Sequence, residues 1–246
     1  MSVSRNRLHT IPPLLGTMIN EPQKKVDFDE YADRYESLLK EQLSFFSGDR
    51  TYFSEYKVKV LKDLYPDGVR SILDFGAGIG LGLPHYLHYF SEAKLSATDI
   101  SVASLQHIEK SFPNVEVIRD DVLGGRQFDL IVVATVMHHV APPERDALMK
   151  RLSGLLASQG RLCIFEHNPY NPVTQRMVST CPFDEDAVLL TMSESKRLLT
   201  QSANLKVVHS GYSLFFPGVL SRLRPTERFL RWLPLGGQYY VVAERQ

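Results

Sequence analysis

The apolar positions along the chain change their spacing near residue 70. Up to that point, apolar and aromatic residues recur every three to four positions, which is the spacing of one face of a helix. This pattern predicts two amphipathic helices, over 28–46 and 51–64. Residues 1–25 lack any such period, and we expect them to form an arm or lid.

From residue 70 onward, short apolar runs alternate with helical patterns. The runs predict strands at 71–75, 94–98, 115–118, 128–133 and 161–165. Helical patterns lie near 81–90, 101–111 and 143–157. Two of the runs, 128–133 and 161–165, are almost wholly apolar, as in strands that are covered on both faces. Alternation of this kind predicts a doubly wound α/β sheet.

The last part of the chain predicts one more helix, over 193–203, and strands at 206–213 and 238–243. We expect these two strands to form an antiparallel pair at the edge of the sheet. The irregular segment between them, at about 214–236, mixes apolar residues with four arginines. It could form a lid over an apolar or lipid-linked acceptor, an interfacial helix on a membrane, or a helix packed on the sheet edge.

Composition narrows the class of protein. The chain has 246 residues, with 28 basic and 28 acidic side chains, so its net charge is zero. A nucleic-acid partner is not expected, because such proteins normally carry a basic excess. Two cysteines, Cys163 and Cys181, are too few for a disulfide framework or a zinc cluster, and we predict no metal site. With no apolar leader or membrane-spanning run visible, we expect a cytoplasmic protein.

A glycine-rich loop follows the first predicted strand. Its sequence is D-F-G-A-G-I-G, from Asp74 to Gly80. Glycines at such a turn let a ligand approach the backbone beyond the carboxyl end of the strand. Asp99 ends the second strand, where a carboxylate can accept hydrogen bonds from both hydroxyls of a ribose. The G-x-G-x-x-G fingerprint of dinucleotide-binding proteins fits neither glycine register, since Leu81 and Leu83 take its last position.

With its acidic residue two positions before the first glycine, the loop resembles motif I of the class I S-adenosylmethionine-dependent methyltransferases. The resemblance extends over 70–167, and it implies S-adenosylmethionine as cofactor and a seven-stranded, mostly parallel, Rossmann-like sheet. The matching positions are expected to bind the cofactor: Asp74, Gly76, Ala77, Gly78, Gly80, Asp99, Ile100, Asp121, Val122, Ala134 and His139. Asp121 and Val122 would contact the adenine edge, although Asp120 could take that role instead.

Two further segments carry the resemblance. The sequence F-D-L-I-V-V-A-T-V-M-H-H-V, beginning at Phe128, resembles the fourth strand and following loop of UbiE-like methyltransferases. The sequence F-D-E-Y-A-D-R-Y, which ends at Tyr35, is similar to a helix over the cofactor in small-molecule methyltransferases, and this implies that Tyr35 contacts the cofactor. We divide the chain into an arm and helical lid at 1–66 and a cofactor-binding domain at 67–246, with the inserted segment at about 214–236.

Methyl transfer to a hydroxyl needs a group that takes its proton. His138 follows the fourth predicted strand and His167 the fifth, where the acceptor is expected. We therefore predict His167 or His138 as the base, with Glu166 as the orienting partner. Glu166 precedes His167 and could orient it, or it could instead cap backbone groups. Oxygen is favoured as the acceptor atom over nitrogen or carbon. The acidic residues at 184–186 are expected to begin a helix, although they could instead bind a cationic substrate.

Together these features predict an enzyme that methylates a small-molecule, glycan or lipid-linked acceptor. Two other functions stay open at this point. One is a regulatory module that binds S-adenosylmethionine or a nucleotide without catalysis. The other is a nicotinamide-dependent oxidoreductase, which would need a relaxed glycine register. Contact of 214–232 with a membrane surface also stays open, and nothing in the sequence indicates the oligomeric state.

Overall fold

The computed structural model describes residues 52–245, apart from the side chain of Phe183. The predicted arm, the predicted helix at 28–46 and Tyr35 lie outside these residues. The described α-helices are α1 (Tyr52–Leu64), α2 (Leu83–Tyr89), α3 (Val102–Ser111), α4 (Arg145–Gly154), α5 (Pro172–Ser179) and α6 (Met192–Arg197). The strands are β1 (Ser71–Phe75), β2 (Lys94–Thr98), β3 (Glu116–Val117), β4 (Phe128–Ala134), β5 (Leu156–His167), β6 (Leu205–Ser213) and β7 (Gln238–Arg245).

The seven strands form one sheet in the order β3-β2-β1-β4-β5-β7-β6. Neighbouring strands are parallel from β3 to β5, whereas β7 runs antiparallel to both β5 and β6. The doubly wound α/β fold and the antiparallel pair at its edge are therefore confirmed. The order along the chain reverses between β1 and β4, and this reversal opens a crevice at the carboxyl ends of these two strands.

Apolar side chains cover both faces of the sheet. On β4, Ile131 and Val133 pack into the core on one face, and Leu130 and Val132 pack into the core on the other. All four side chains are fully buried. Helix α4 contributes to the first core, and α1, α2 and α3 contribute to the second. Because helices cover both faces, the carboxyl ends of the central strands are fixed in position relative to one another.

Helix α5 follows β5 and was not predicted from the sequence. Its first turn contains Pro172, whose fixed φ angle suits that position. The side chain of Asn171 begins the helix by accepting the backbone N–H groups of Val173 and Thr174. The Asn171-Pro172 dipeptide is thus a helix start.

The prediction that a helix begins at 184–186 is wrong. Pro182–Asp184 form a single 3₁₀ turn, and the next α-helix begins only at Met192. The reason lies in the tertiary structure, because the carboxylates of Asp184 and Asp186 face two histidines of the site described below.

The inserted segment forms 3₁₀ turns over Gly218–Phe229 and is organised by one buried carboxylate. Glu227 is 1% exposed, and it accepts the backbone N–H groups of Leu214, Phe215 and Phe216 at 3.1–3.2 Å. These bonds hold the start of the segment against the carboxyl edge of the sheet.

Two arginines of the same segment reach α1. The guanidinium of Arg224 lies 3.4 Å from the ring centre of Tyr52, and Arg231 pairs with Asp63 at 3.2 Å. The segment therefore packs on α1 along part of its length. Within residues 52–245, no helix combines the length and the apolar character that crossing a membrane would require.

Candidate active site

The glycine-rich loop leaves β1 at the carboxyl edge of the sheet. Gly76, Gly78 and Gly80 have φ angles of 73°, 54° and 83°, a left-handed region that favours glycine. A side chain at position 76 would also collide with Val136 on the loop after β4. Asp99, at the end of β2, accepts the backbone N–H of Gly78 at 2.7 Å. The carboxylate and the loop are therefore joined into one unit.

A cavity of about 800 Å³ opens at this edge of the sheet. Most of the residues that were predicted to bind the cofactor line it: Asp74, Gly76, Ala77, Gly78, Asp99, Ile100, Ala134 and His139. Ile100 is 84% exposed, which is unusual for a large apolar side chain beside a carboxylate. An aromatic base over Ile100 and a ribose at Asp99 would suit these neighbours. The residues present therefore fit an adenosine-containing cofactor.

Three of the predicted cofactor residues do not line the cavity, namely Gly80, Asp121 and Val122. The side chain of Asp121 is 74% exposed and lies 3.8 Å from Arg119. Asp120 does line the cavity, and its carboxylate is held by Arg151 at 2.8 Å. Of the two acidic residues considered for the adenine edge, Asp120 is therefore the one that lines the cavity.

Asp74 lies in the wall of the cavity and is 6% exposed. Burial raises the pKa of its carboxyl to about 7; the ammonium of Lys57 acts in the opposite sense, and the charge of Asp99 adds to the rise. Lys57 lines the same cavity, and burial lowers the pKa of its ammonium to about 8. The loop therefore contains a carboxyl group that gains and loses its proton close to neutral pH.

A histidine pairs with a buried carboxylate at the carboxyl ends of β4 and β5. The Nδ1 atom of His138 lies 2.6 Å from Oε2 of Glu166, and the two side chains are 1% and 0% exposed. The second oxygen of Glu166 accepts the backbone N–H of Met137 at 2.7 Å. Because both oxygens of Glu166 are engaged, the orientation of the His138 ring is tightly defined.

His167 does not pair with Glu166, although their adjacency in the sequence had suggested it; of the two candidate bases, His138 is the one that Glu166 contacts. The two residues are consecutive at the end of β5, and consecutive side chains of a strand point to opposite faces of the sheet. The Nδ1 atom of His167 is buried and has no hydrogen-bond partner among the described residues. Its ring centre lies 5.1 Å from that of His138. Glu166 therefore orients His138, and His167 keeps an unpaired ring nitrogen.

Two acidic residues that were not predicted as site residues complete the cluster. Oδ1 of Asp184 lies 3.4 Å from Nε2 of His138 and 3.4 Å from Nε2 of His139. Oδ1 of Asp186 lies 3.2 Å from Nδ1 of His139. The acidic run after Pro182 was visible in the sequence, but its pairing with histidines far earlier in the chain was not.

Burial and charge oppose each other within the cluster. Burial alone would lower the pKa of His138, but the carboxylates of Glu166 and Asp184 outweigh it and raise the pKa. Burial would raise the pKa of Glu166, and His138 holds it below its usual range. Burial, joined by the charge of His138, lowers the pKa of His167 to about 4. Burial likewise lowers the pKa of His139.

The remainder of the cavity wall is largely apolar. It includes Val173 and Met177 of α5 and Phe215 and Phe216 of the inserted segment. Thr135 and Leu214 also line the cavity, and they have φ angles of 57° and 60° although they are not glycines. Backbone strain of this kind is commonly found at functional sites. The cavity thus joins a polar half, with the glycine loop and the histidines, to an apolar half.

Comparison with known proteins agrees with this geometry. Residues 73–162 match a family model described as a methyltransferase domain. No curated protein matches the chain. Among solved structures, an S-adenosylmethionine-dependent methyltransferase from Archaeoglobus fulgidus is 16% identical, with a TM-score of 0.62, over 86% of this chain and 100% of that one.

Two further solved structures contain S-adenosylhomocysteine. Magnesium protoporphyrin IX methyltransferase from Synechocystis PCC 6803 is 16% identical, with a TM-score of 0.60, over 89% of this chain and 98% of that one. The plantazolicin methyltransferase BpumL, in complex with a monoazolic desmethylPZN analog, is 19% identical, with a TM-score of 0.58, over 89% of each chain. At these identities the likeness shows a shared fold.

Residues 73–162 therefore match a methyltransferase domain, and the chain shares the fold of S-adenosylmethionine-dependent methyltransferases. It is an enzyme, and its cofactor is S-adenosylmethionine. The oxidoreductase and the non-catalytic module, which the sequence had left open, are therefore not retained.

Proposed function

We propose that the chain methylates a hydroxyl oxygen of a small-molecule acceptor. One observation carries this proposal: the glycine loop with Asp99 and the histidine cluster line the same cavity. S-Adenosylmethionine supplies an electrophilic methyl group on a positively charged sulfur that is a good leaving group. The chain's own residues have to orient the acceptor, exclude water and receive the proton of the hydroxyl.

His167 is the residue that receives this proton in the proposal. It lines the cavity, and its Nδ1 atom has no hydrogen-bond partner among residues 52–245. His138 is less suited, since its Nδ1 faces Glu166 at 2.6 Å and its Nε2 faces Asp184 at 3.4 Å. We therefore assign His138 and Glu166 as positioning residues that fix the ring against which His167 packs.

The body of the acceptor is apolar in this proposal. Val173, Met177, Phe215 and Phe216 line the cavity and would surround an aromatic or alkyl group. The solved relatives support a small molecule, because one is named for magnesium protoporphyrin IX and another was solved with a plantazolicin analog. The zero net charge of the chain agrees with this class of substrate and not with nucleic acid.

The acceptor atom can be tested with methyl-labelled S-adenosylmethionine and a small-molecule extract. Mass spectrometry of the labelled product should locate the methyl group on oxygen. Replacing His167 by Ala should slow turnover by about 100- to 10,000-fold, the usual effect of removing a general base. S-Adenosylhomocysteine should bind this variant as it binds the wild type.

The matched control for this variant is His209→Ala, which removes an exposed histidine of β6. Its turnover should equal that of the wild type. Finding the labelled methyl group on nitrogen or carbon would contradict the proposal. A loss of only a few-fold in the turnover of His167→Ala would also contradict it and would indicate catalysis by proximity alone.

A further inference from the structure

Three side chains of the histidine cluster converge on a single point in the cavity. Nε2 of His138 and Nε2 of His139 each lie 3.4 Å from Oδ1 of Asp184. One possible ligand atom from each of His138, His139 and Asp184 lies within 4.8 Å of those of the other two. The side chains are 1%, 16% and 11% exposed in the same order, so the convergence occurs in a largely enclosed place. The proposed methyl transfer uses none of these three atoms.

The other nitrogen of each imidazole faces a second carboxylate. Nδ1 of His138 faces the carboxylate of Glu166, and Nδ1 of His139 faces the carboxylate of Asp186. A neutral imidazole donates from one nitrogen and accepts at the other. With both Nδ1 atoms facing other carboxylates, both Nε2 atoms are directed at the same oxygen of Asp184. A metal ion bound there would take the place of the hydrogens between these three atoms.

We propose that His138, His139 and Asp184 bind a divalent transition-metal ion. Metal–nitrogen and metal–oxygen bonds of about 2.0–2.2 Å place neighbouring ligands of a tetrahedral ion about 3.4 Å apart. The two measured nitrogen–oxygen separations are both 3.4 Å. Two imidazoles and one carboxylate also form a ligand set that zinc and iron enzymes use.

The surrounding residues have the form of a metal site. Glu166 and Asp186 accept hydrogen bonds from the far nitrogens of the two histidines, an arrangement that orients metal-binding histidines in many enzymes. Together with Asp184, they place three carboxylates around two imidazoles. Glu166 is fully buried, and Asp186 is 10% exposed. A divalent cation offsets most of this concentrated negative charge.

All three ligands line the cavity that contains the glycine loop. Three protein ligands leave a tetrahedral ion with one open position, as in catalytic zinc sites. That position can take the acceptor oxygen and favour its deprotonated form. This role rests on the proposed function, whereas binding of the ion does not. Sequence reasoning predicted no metal site because it considered cysteines and missed two histidines joined to a distant aspartate.

The site can be tested on the full chain by metal binding alone. The protein is stripped with a chelator, and Zn²⁺ is titrated by calorimetry. Co²⁺ is added to a second sample to record the visible absorption of a tetrahedral ion. We expect one ion per chain and strong cobalt bands. Asp184→Asn and His139→Ala should each weaken Zn²⁺ binding by more than about 100-fold, and Asp186→Asn should weaken it by about 10- to 100-fold.

Two controls separate this inference from the proposed function. His209→Ala, which removes an exposed histidine, should bind Zn²⁺ as the wild type does. S-Adenosylhomocysteine affinity, measured on the same samples, reports the cofactor site independently. Absence of stoichiometric Zn²⁺ binding in a chain that still binds S-adenosylhomocysteine would overturn the metal site and leave the methyltransferase assignment standing. Unchanged Zn²⁺ affinity in both Asp184→Asn and His139→Ala would overturn it equally.

Discussion

The carboxylate of Asp99 joins three parts of the cofactor site. It accepts the backbone N–H of Gly78 at 2.7 Å and that of Ser101 at 2.9 Å. It also lines the cavity, where the resemblance to methyltransferases places the ribose hydroxyls of the cofactor. Asp99→Ala removes all of these acceptors together. Asp99→Asn preserves the shape of the side chain, but its amide group turns an N–H donor towards one of the two backbone N–H groups.

The loss of cofactor affinity expected in Asp99→Ala follows from the number and kind of these hydrogen bonds. A hydrogen bond to a charged group contributes about 1.5–3 kcal/mol. Since about 1.4 kcal/mol corresponds to a tenfold change in affinity, losing the ribose contact should weaken binding by roughly 10- to 100-fold. Displacement of the Gly78 loop would add to this loss, so Asp99→Ala should lie at the upper end of the range. Calorimetric titration with S-adenosylhomocysteine measures the change directly.

Asp121→Ala is the matched control for Asp99→Ala. It removes a carboxylate of the same kind that is 74% exposed and does not line the cavity. Circular dichroism should show that all the variants are folded. If folded Asp99→Ala binds S-adenosylhomocysteine as tightly as Asp121→Ala, the ribose does not lie at Asp99 and the orientation of the cofactor has been inferred incorrectly.

Three further outcomes are expected. Gly80→Ala should destabilise the fold by about 1–3 kcal/mol in denaturant unfolding, because φ is 83° and the new Cβ would lie 2.6 Å from Leu83, whereas Gly124→Ala, which meets nothing within 4 Å, should change it little. Glu227→Ala should lower the free energy of unfolding by at least about 2 kcal/mol, since three backbone N–H groups lose their acceptor. The pKa of Asp74 is raised from 3.8 to about 7 in the fold, so the wild type should lose stability relative to Asp74→Asn as pH rises from about 4 to 8, and parallel stability curves would contradict this.

The sheet could be predicted because each central strand carries its own signal. Burial on both faces produces the apolar runs at 130–134 of β4 and 162–165 of β5. These runs can be recognised without knowing what packs against them. The glycine loop was equally accessible, since its residues are consecutive and its backbone geometry requires glycine. Helix α5 was missed because Asn171 and Pro172 suit a loop as well as a helix start.

The pairing of Glu166 with His167, which their adjacency suggested, does not form for a simple physical reason. Neighbours in sequence were assumed to be neighbours in space, but Glu166 and His167 end a strand and so point to opposite faces. The carboxylate of Glu166 contacts His138 instead. His138 is far from Glu166 in the sequence, but it follows β4, the strand that pairs with β5. For parallel strands, the useful rule is that residues at the carboxyl ends of paired strands meet. Applied to His138 and Glu166, that rule would have found their contact.

The role of Asp184 and Asp186 could not be predicted from the sequence for a different reason. Their position follows from β5, from helix α5 and from the 3₁₀ turn at Pro182–Asp184, which together lead the chain from the sheet back to the histidines. Local helix preference favoured a capping role for the acidic run. Contact with two histidines fixed at the sheet edge outweighs that preference. A carboxylate at an exposed helix end contributes less than about 1 kcal/mol to stability, whereas a charged hydrogen-bond partner of a buried group contributes more. The chemistry of this end of the cavity therefore arises from tertiary contacts between the turn after β4, the end of β5 and the turn at Pro182–Asp184. Substitutions at Asp184 are the most direct way to probe it.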